Sequence, residues 1–247
     1  RYPVAIDPLV WALQRRLQRI DAGTRDQLGN AVAIGGADEL IASAVGAHAF
    51  AGGAFALREE NGGWAEYELS LPDAGARQGV GATLAVSGDR MLVGSSFGAI
   101  ELQRDAGGWG PSGTLVVPRG TTRPGTGLPV ALDGDRAAIL LGSPEPDALD
   151  GGANPELYLF ERSDLAWKVV GSFSLPAPLT VTDSGRRLAF GGDDLVVGTG
   201  REVRIYRRNA GGAWAFEAAL LPDLALTPAA NFQGLGFGRA VAIDGDT

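Results

Sequence analysis

Small and apolar residues alternate along this chain in a phrase that returns five times. Each copy is a glycine, two spacers, and an alternating run that ends in a Gly/Asp turn. The copies are Leu28-Gly29-Asn30-Ala31-Val32-Ala33-Ile34, Val80-Gly81-Ala82-Thr83-Leu84-Ala85-Val86, Thr126-Gly127-Leu128-Pro129-Val130-Ala131-Leu132, Ser184-Gly185-Arg186-Arg187-Leu188-Ala189-Phe190 and Phe237-Gly238-Arg239-Ala240-Val241-Ala242-Ile243. The anchor glycines 29, 81, 127, 185 and 238 stand 52, 46, 58 and 53 residues apart. Alternation with period two predicts half-buried strands. Its return at a near-constant interval predicts an array of supersecondary units or a propeller.

The residues between the anchors predict three more strands per repeat. A tight turn closes the first strand at Gly88-Asp89, Gly134-Asp135 and Gly192-Asp193, with Gly36-Ala37-Asp38 as a looser version. Gly and Asp tolerate the positive φ that a two-residue hairpin demands. The second strand is apolar throughout and predicted to be buried on both faces: Leu40-Ile41-Ala42, Met91-Leu92-Val93, Ala138-Ile139-Leu140-Leu141 and Leu195-Val196-Val197. The third alternates and grows polar, as in Leu157-Tyr158-Leu159-Phe160-Glu161, so one face is core and the other is increasingly wet. A turn such as Asn61-Gly62-Gly63 or Ala106-Gly107-Gly108 leads to a fourth strand that opens near a tryptophan and closes in apolar-Pro, as at Leu71-Pro72 and Val117-Pro118. Proline at the end of an outermost strand is where a sheet tolerates it.

Four antiparallel strands per repeat of this length form a propeller blade. The fold class is therefore all-β, a β-propeller of four-stranded antiparallel blades. Whole blades are predicted over about 28–72, 80–118, 126–176 and 184–222, with the inner strand of another at 238–244. Residues 1–8 read as a linker or the tail of a preceding domain. Residues 9–20 have apolar residues at a helical spacing (Leu9, Leu13, Leu17, Ile20), but Trp11 lies 18 residues before Gly29, as Trp109 and Trp167 lie 18 before their own anchors. Residues 9–20 are thus assigned as the outer strand of an incomplete blade. Partial blades at both ends describe a fragment of a larger ring, about six to eight blades. The unpaired end strands would leave open edges, and poor solubility in isolation follows.

Composition narrows the partners. A chain with 38 glycines and 14 prolines suits many short strands joined by turns. A net charge of −8 argues against a nucleic-acid or anionic-membrane surface, both of which need concentrated Lys/Arg. No apolar run approaches the ~20 residues of a membrane span, so no membrane insertion is expected. With no cysteine there is neither a disulfide nor a thiolate metal site.

The Phe237-Gly238 opening with Val241-Ala242-Ile243-Asp244-Gly245-Asp246, the Gly142-Ser143-Pro144 stretch, the aromatic third strand and the Trp-led fourth resemble bacterial FG-GAP repeats, relatives of the integrin α-subunit propeller. The resemblance covers about residues 9–247. It implies a module of a larger exported or surface-exposed bacterial protein, working in adhesion or in protein or glycan binding. Integrin-type repeats often carry an Asp-x-Asp-x-Asp-Gly calcium loop. Here the nearest stretch, 145–152, offers Glu145, Asp147 and Asp150 without that alternation. Ca²⁺ needs six to eight oxygens, so a solvated loop is the preferred reading, and Asp147 and Asp150, with Glu145, are the weak metal candidate. No other cofactor is expected.

The remaining chemistry is thin. His48 is the single histidine, and no Gly-x-Ser-x-Gly nucleophile accompanies it. The run Gly234-Leu235-Gly236-Phe237-Gly238 precedes no helical pattern, so phosphate-loop logic fails. A tryptophan at one place in every repeat is read as packing between blades rather than stacking a sugar. Binding is placed on one side of the disc, on the irregular loops 43–53, 142–156 and 223–237. The function expected is non-catalytic binding of a protein or glycan. The alternatives are a propeller hydrolase or lyase acting on polysaccharide through paired carboxylates, and a pure scaffold.

Overall fold

The computed structural model describes residues 26–72, 79–118, 127–141, 155–163, 166–175, 187–200, 202–222 and 237–243, the side chains of 49 and 50 excepted. Sixteen strands fall into four antiparallel sheets, each ordered as the chain runs. Blade 1 holds β1 (Leu28–Gly36), β2 (Glu39–Ala44), β3 (Ala54–Glu60) and β4 (Gly63–Glu68). Blade 2 holds β5 (Leu84–Ser87), β6 (Arg90–Ser95), β7 (Gly98–Asp105) and β8 (Gly108–Val116). Blade 3 holds β9 (Val130–Asp133), β10 (Arg136–Leu141), β11 (Glu156–Ser163) and β12 (Ala166–Ser174). Blade 4 holds β13 (Leu188–Gly191), β14 (Asp194–Gly198), β15 (Val203–Arg208) and β16 (Trp214–Leu220). The inner strands stand side by side, β1 against β5, β5 against β9 and β9 against β13. The four blades form an arc of a β-propeller.

The core lies in the seams, because each apolar strand has two faces and each face needs a neighbour. Between blades 1 and 2, Ala33, Ile41 and Ala56 of one sheet meet Leu84, Met91, Val93 and Leu102 of the next. Between blades 2 and 3, Leu92 and Ala99 meet Ile139, Tyr158 and Phe160. Between blades 3 and 4, Ala138, Leu140 and Leu159 meet Leu188, Leu195 and Tyr206. Alanines and larger aliphatics such as Ile41, Leu92 and Leu140 on the side facing forward along the chain thus meet large residues on the side facing back. The tryptophans follow the same rule. Trp109, Trp167 and Trp214 each pack into the seam with the preceding blade, as the recurring position predicts. Their burial at about 25 cal/mol per Å² is a large part of what fixes one blade on another.

The anchor glycines mark where one blade hands over to the next. Gly81 has φ +88, and a Cβ there would lie 2.7 Å from Gly53 O and 2.9 Å from Ser43 Cβ of blade 1. At Gly127 a Cβ would lie 2.5 Å from both Ala82 Cβ and Gly79 O. The repeat therefore keeps glycine where the backbones of adjacent blades touch.

Two expectations are corrected. The second strand is buried on both faces in blades 2 to 4, but Leu40 in blade 1 is 36% exposed, because no described sheet covers that side. The turn at Gly36-Ala37-Asp38 has the same two-residue length as the others, since Gly36 pairs with Glu39. Ala37 avoids the positive φ of Gly88, Gly134 and Gly192, and the ladder shifts register between Ile34 and Gly36 instead. The expected inner strand 238–244 is described only as far as Ile243. Phe237 bridges Gly200, and no second strand follows among the described residues to pair with the rest. The expected outer strand at 9–20 and the linker at 1–8 lie outside the described residues.

Candidate functional site

The arc has two rims. One carries the first-to-second and third-to-fourth turns; the other carries the second-to-third loops and the blade-to-blade connections. The turn rim holds a belt of ion pairs that the alternation of apolar residues gave no hint of. Arg90, at the start of β6, pairs forward with Asp135 in the hairpin of blade 3, and its Nη1 donates to Gly134 O at 3.2 Å. Arg136, at the same place in β10, pairs forward with Asp193 of blade 4 at 3.1 Å. Arginines at the end of the third strand reach back instead. Arg104 donates to Gly35 O at 2.8 Å and Glu39 Oε2 at 3.2 Å in blade 1. Arg162 lies 3.4 Å from Glu101 of blade 2, and Arg208 lies 3.0 Å from Glu161 of blade 3. The signal was present: an arginine or an acid follows each hairpin aspartate.

Glu39 is the hub of this rim. Its carboxylate is 6% exposed and receives Arg58 Nε at 2.6 Å and the Trp109 indole N–H at 2.9 Å, besides Arg104. Burial pushes its pKa up, but the hydrogen bonds from Arg58 and Trp109 and the charges of Arg58 and Arg104 outweigh this and hold it below the ordinary glutamate value. Asp194 is held low chiefly by its hydrogen bond from Arg207. Glu101 is buried without such help: neither of its oxygens has a hydrogen-bond partner, and Arg162 is its ion-pair partner. A cleft of about 340 Å³ opens on this rim at blade 1, lined by Asp38, Glu39, Arg58, Glu59, Glu60 and Arg104 among others.

On the loop rim, lengths differ sharply. In blade 2 the β6–β7 connection is the two-residue turn Ser96-Phe97, since Ser95 pairs with Gly98. In blade 1 residues 45–53 hold a short helix, α1 (Ala47–Phe50). That loop is anchored: Ala47 is buried with Ala44 and Phe55, Gly46 N–H donates to Asp26 O at 3.0 Å, and Gly52 N–H donates to Ala47 O at 3.1 Å. His48 projects from it and meets the Glu68 carboxylate at 2.5 Å, both side chains half exposed. Of the three loops expected to bind, 43–53 is described. Loop 142–156 is described only at its last two residues and 223–237 only at Phe237. The metal candidates Glu145, Asp147 and Asp150 lie outside the described residues. Among the described residues, no group of three acidic or histidine side chains is placed to hold a metal ion, and no helix is long and apolar enough to cross a membrane.

No family model matches the chain, and no curated protein matches it in sequence. Among solved structures, a protein from Lactobacillus plantarum superposes with a TM-score of 0.55 at 16% identity, covering 83% of this chain and 61% of that one. The β-propeller domain of Cps50 (Swd1) from Myceliophteria thermophila gives a TM-score of 0.48 at 16% identity, covering 75% of this chain and 56% of that one. The chain spans less than two thirds of the length of either. Likeness at this identity concerns the fold alone.

Proposed function

We propose that the chain is the blade array of a non-catalytic interaction module that holds a protein or glycan on its loop rim, outside the cell or at its surface. The observation that carries this reading is the contrast between the rims. The arginines of the turn rim are committed to carboxylates of their own or neighbouring blades, which makes that rim a structural belt. The loop rim rests on the same rigid sheets but varies from the tight turn at 96–97 to the anchored, outward-facing loop at 45–53. Variable loops on a constant scaffold are where binding concentrates. The resemblance of the repeats to FG-GAP sequences supports the adhesive, extracellular side of the proposal.

The test is a glycan and protein array probed with the purified chain, repeated with His48→Ala and Glu68→Ala on the loop rim and Asp135→Asn on the turn rim. Loss of the signal with the first two alone is the expected result. Equal loss with Asp135→Asn would move the site to the turn rim, and cleavage of an arrayed polysaccharide would replace the binding module with an enzyme.

A further inference from the structure

The seam between blades 2 and 3 holds the same arginine–tryptophan pair as the seam before it, but its acid stands elsewhere. Arg104 lies opposite Trp109 across β7 and β8, and Arg162 lies opposite Trp167 across β11 and β12. In the first seam Glu39, at the start of β2, receives Arg104 Nη1 at 3.2 Å and the Trp109 indole N–H at 2.9 Å. In the second, the start of β6 is Arg90, which is committed to Asp135 and has no acceptor to offer an indole. The acid there is Glu101. It lies one strand over and deeper in the sheet, opposite Leu92, where Arg90 lies opposite Gln103.

The displacement leaves polar atoms over. Glu101 Oε1 and Oε2, Arg162 Nε and Trp167 Nε1 are all buried, and none has a hydrogen-bond partner among the described residues. Glu101 is 1% exposed, and Arg162 Nε stands 3.4 Å from its Oε1, outside hydrogen-bonding geometry. The three side chains share one seam. Trp167 packs against the cluster that holds Leu92, Ala99, Tyr158 and Phe160, and Arg162, its partner across the ladder, lies on the same face. There is room beside the carboxylate, because Gly113 is the residue paired with Glu101. A Cβ at Gly113 would lie 2.9 Å from Oε2. Buried polar groups in folded proteins are paired as a rule, with ordered water where no protein atom serves.

We propose that Glu101, Arg162 and Trp167 form a binding site for one buried water molecule in the seam between blades 2 and 3. The water accepts from the Arg162 Nε–H and the Trp167 indole N–H and donates to the Glu101 carboxylate. About three hydrogen bonds are usual for an internal water. The donor and acceptor set selects water over an ion. A chloride would satisfy both N–H groups but lie against the Glu101 carboxylate. A sodium or ammonium ion would satisfy the carboxylate but lie against the Arg162 guanidinium. A neutral species that both accepts and donates serves all three side chains. The two seams are then closed by the same arginine–tryptophan pair in different ways, directly at Glu39 and through water at Glu101.

The experiment is a crystal structure of the unsubstituted protein at a resolution that shows ordered water. The expected result is a density peak within about 3 Å of Arg162 Nε, Trp167 Nε1 and a Glu101 oxygen. A carboxylate that takes both N–H groups directly, as Glu39 does, overturns the proposal, and so does a seam with no peak there. A solution measurement reads the same contact without a crystal. With ¹⁵N-labelled tryptophan, the Trp167 indole N–H is expected to show a direct rotating-frame cross-peak to water, assigned by its loss in Trp167→Phe. The Trp109 indole, bonded straight to Glu39, is the internal control and is expected to show none. A Trp167 indole as silent as that of Trp109 counts against the water.

Discussion

The indole N–H of Trp109 donates to Glu39 Oε2 at 2.9 Å across the seam between blades 1 and 2. One tryptophan thus supplies both apolar area and a directional bond to the preceding blade. The same carboxylate also gathers Arg58 and Arg104, so the seam is closed by packing within the disc and by charge at its rim.

Removing each half of this pair has a distinct expected cost. Trp109→Phe keeps most of the ring packing and loses one hydrogen bond to a charged group, about 1.5–3 kcal/mol. Glu39→Ala strands two guanidinium groups and the indole N–H. Because Arg58 and Arg104 are each about a third exposed and can turn to water, its cost is set at about 3 kcal/mol, the low end for a broken buried pair. Denaturant unfolding of both single variants and the double variant measures the coupling. A coupling near zero would mean that the bond contributes nothing net.

The acid limb of stability depends on Glu39 and Asp194. Both carboxyls are held below their ordinary values in the folded state, so the unfolded chain binds more protons in acid. Their stabilisation is complete above the ordinary carboxyl values of about 3.9–4.3 and is lost as pH falls through the lower folded values. Glu39→Gln combined with Asp194→Asn is expected to flatten the fall in stability below about pH 4 and to leave the slope near pH 7 unchanged. Denaturation midpoints across that range check it; parallel curves would refute it.

Glu101 and Arg162 form a seam pair of another kind, 1% and 11% exposed, at 3.4 Å. Neither single replacement is tolerated well: Glu101→Leu or Arg162→Met leaves a buried charge and costs about 3–5 kcal/mol. The double replacement is expected to fall within about 1 kcal/mol of the parent, since apolar residues of similar volume fill such a site without the desolvation penalty. A double variant as unstable as the singles would show that the pair contributes net stability.

Gly198 tests the contact between blade 4 and the segment that follows it. A Cβ there would sit 1.7 Å from Gly238 O, so Gly198→Ala is expected to push 237–243 away and cost about 1–3 kcal/mol. At Gly171, in an outer strand, a Cβ would meet nothing within 4 Å among the described residues. Gly171→Ala is therefore expected to be neutral or to stabilise by about 0.5 kcal/mol. Hydrogen exchange at Phe237 to Ile243 is the direct readout for the first variant.

At 145–152, the solvated-loop reading predicts that millimolar Ca²⁺ leaves the melting midpoint unchanged. A rise reversed by chelator would assign Glu145, Asp147 and Asp150 to a metal site, because a ligand of the native state alone raises the midpoint by mass action.

Strand order, the four whole blades and the seam position of Trp109, Trp167 and Trp214 were legible in the sequence. They rest on short-range rules: period-two alternation, turn chemistry at Gly88-Asp89 and its copies, and an anchor glycine wherever two backbones meet. The unequal exposure of Leu40 and its counterpart Met91 was not legible, for both sit in the same apolar phrase. Burial there depends on whether another sheet stands opposite. Nor did the sequence pair Arg90 with Asp135 or Trp109 with Glu39, which lie 45 and 70 residues apart. Local pattern determined each blade, because hydrogen-bonded ladders and turns are set by neighbours along the chain. Only the tertiary structure decided which charges meet across the seams and which apolar residues stay exposed, because both depend on how one finished sheet is laid against the next.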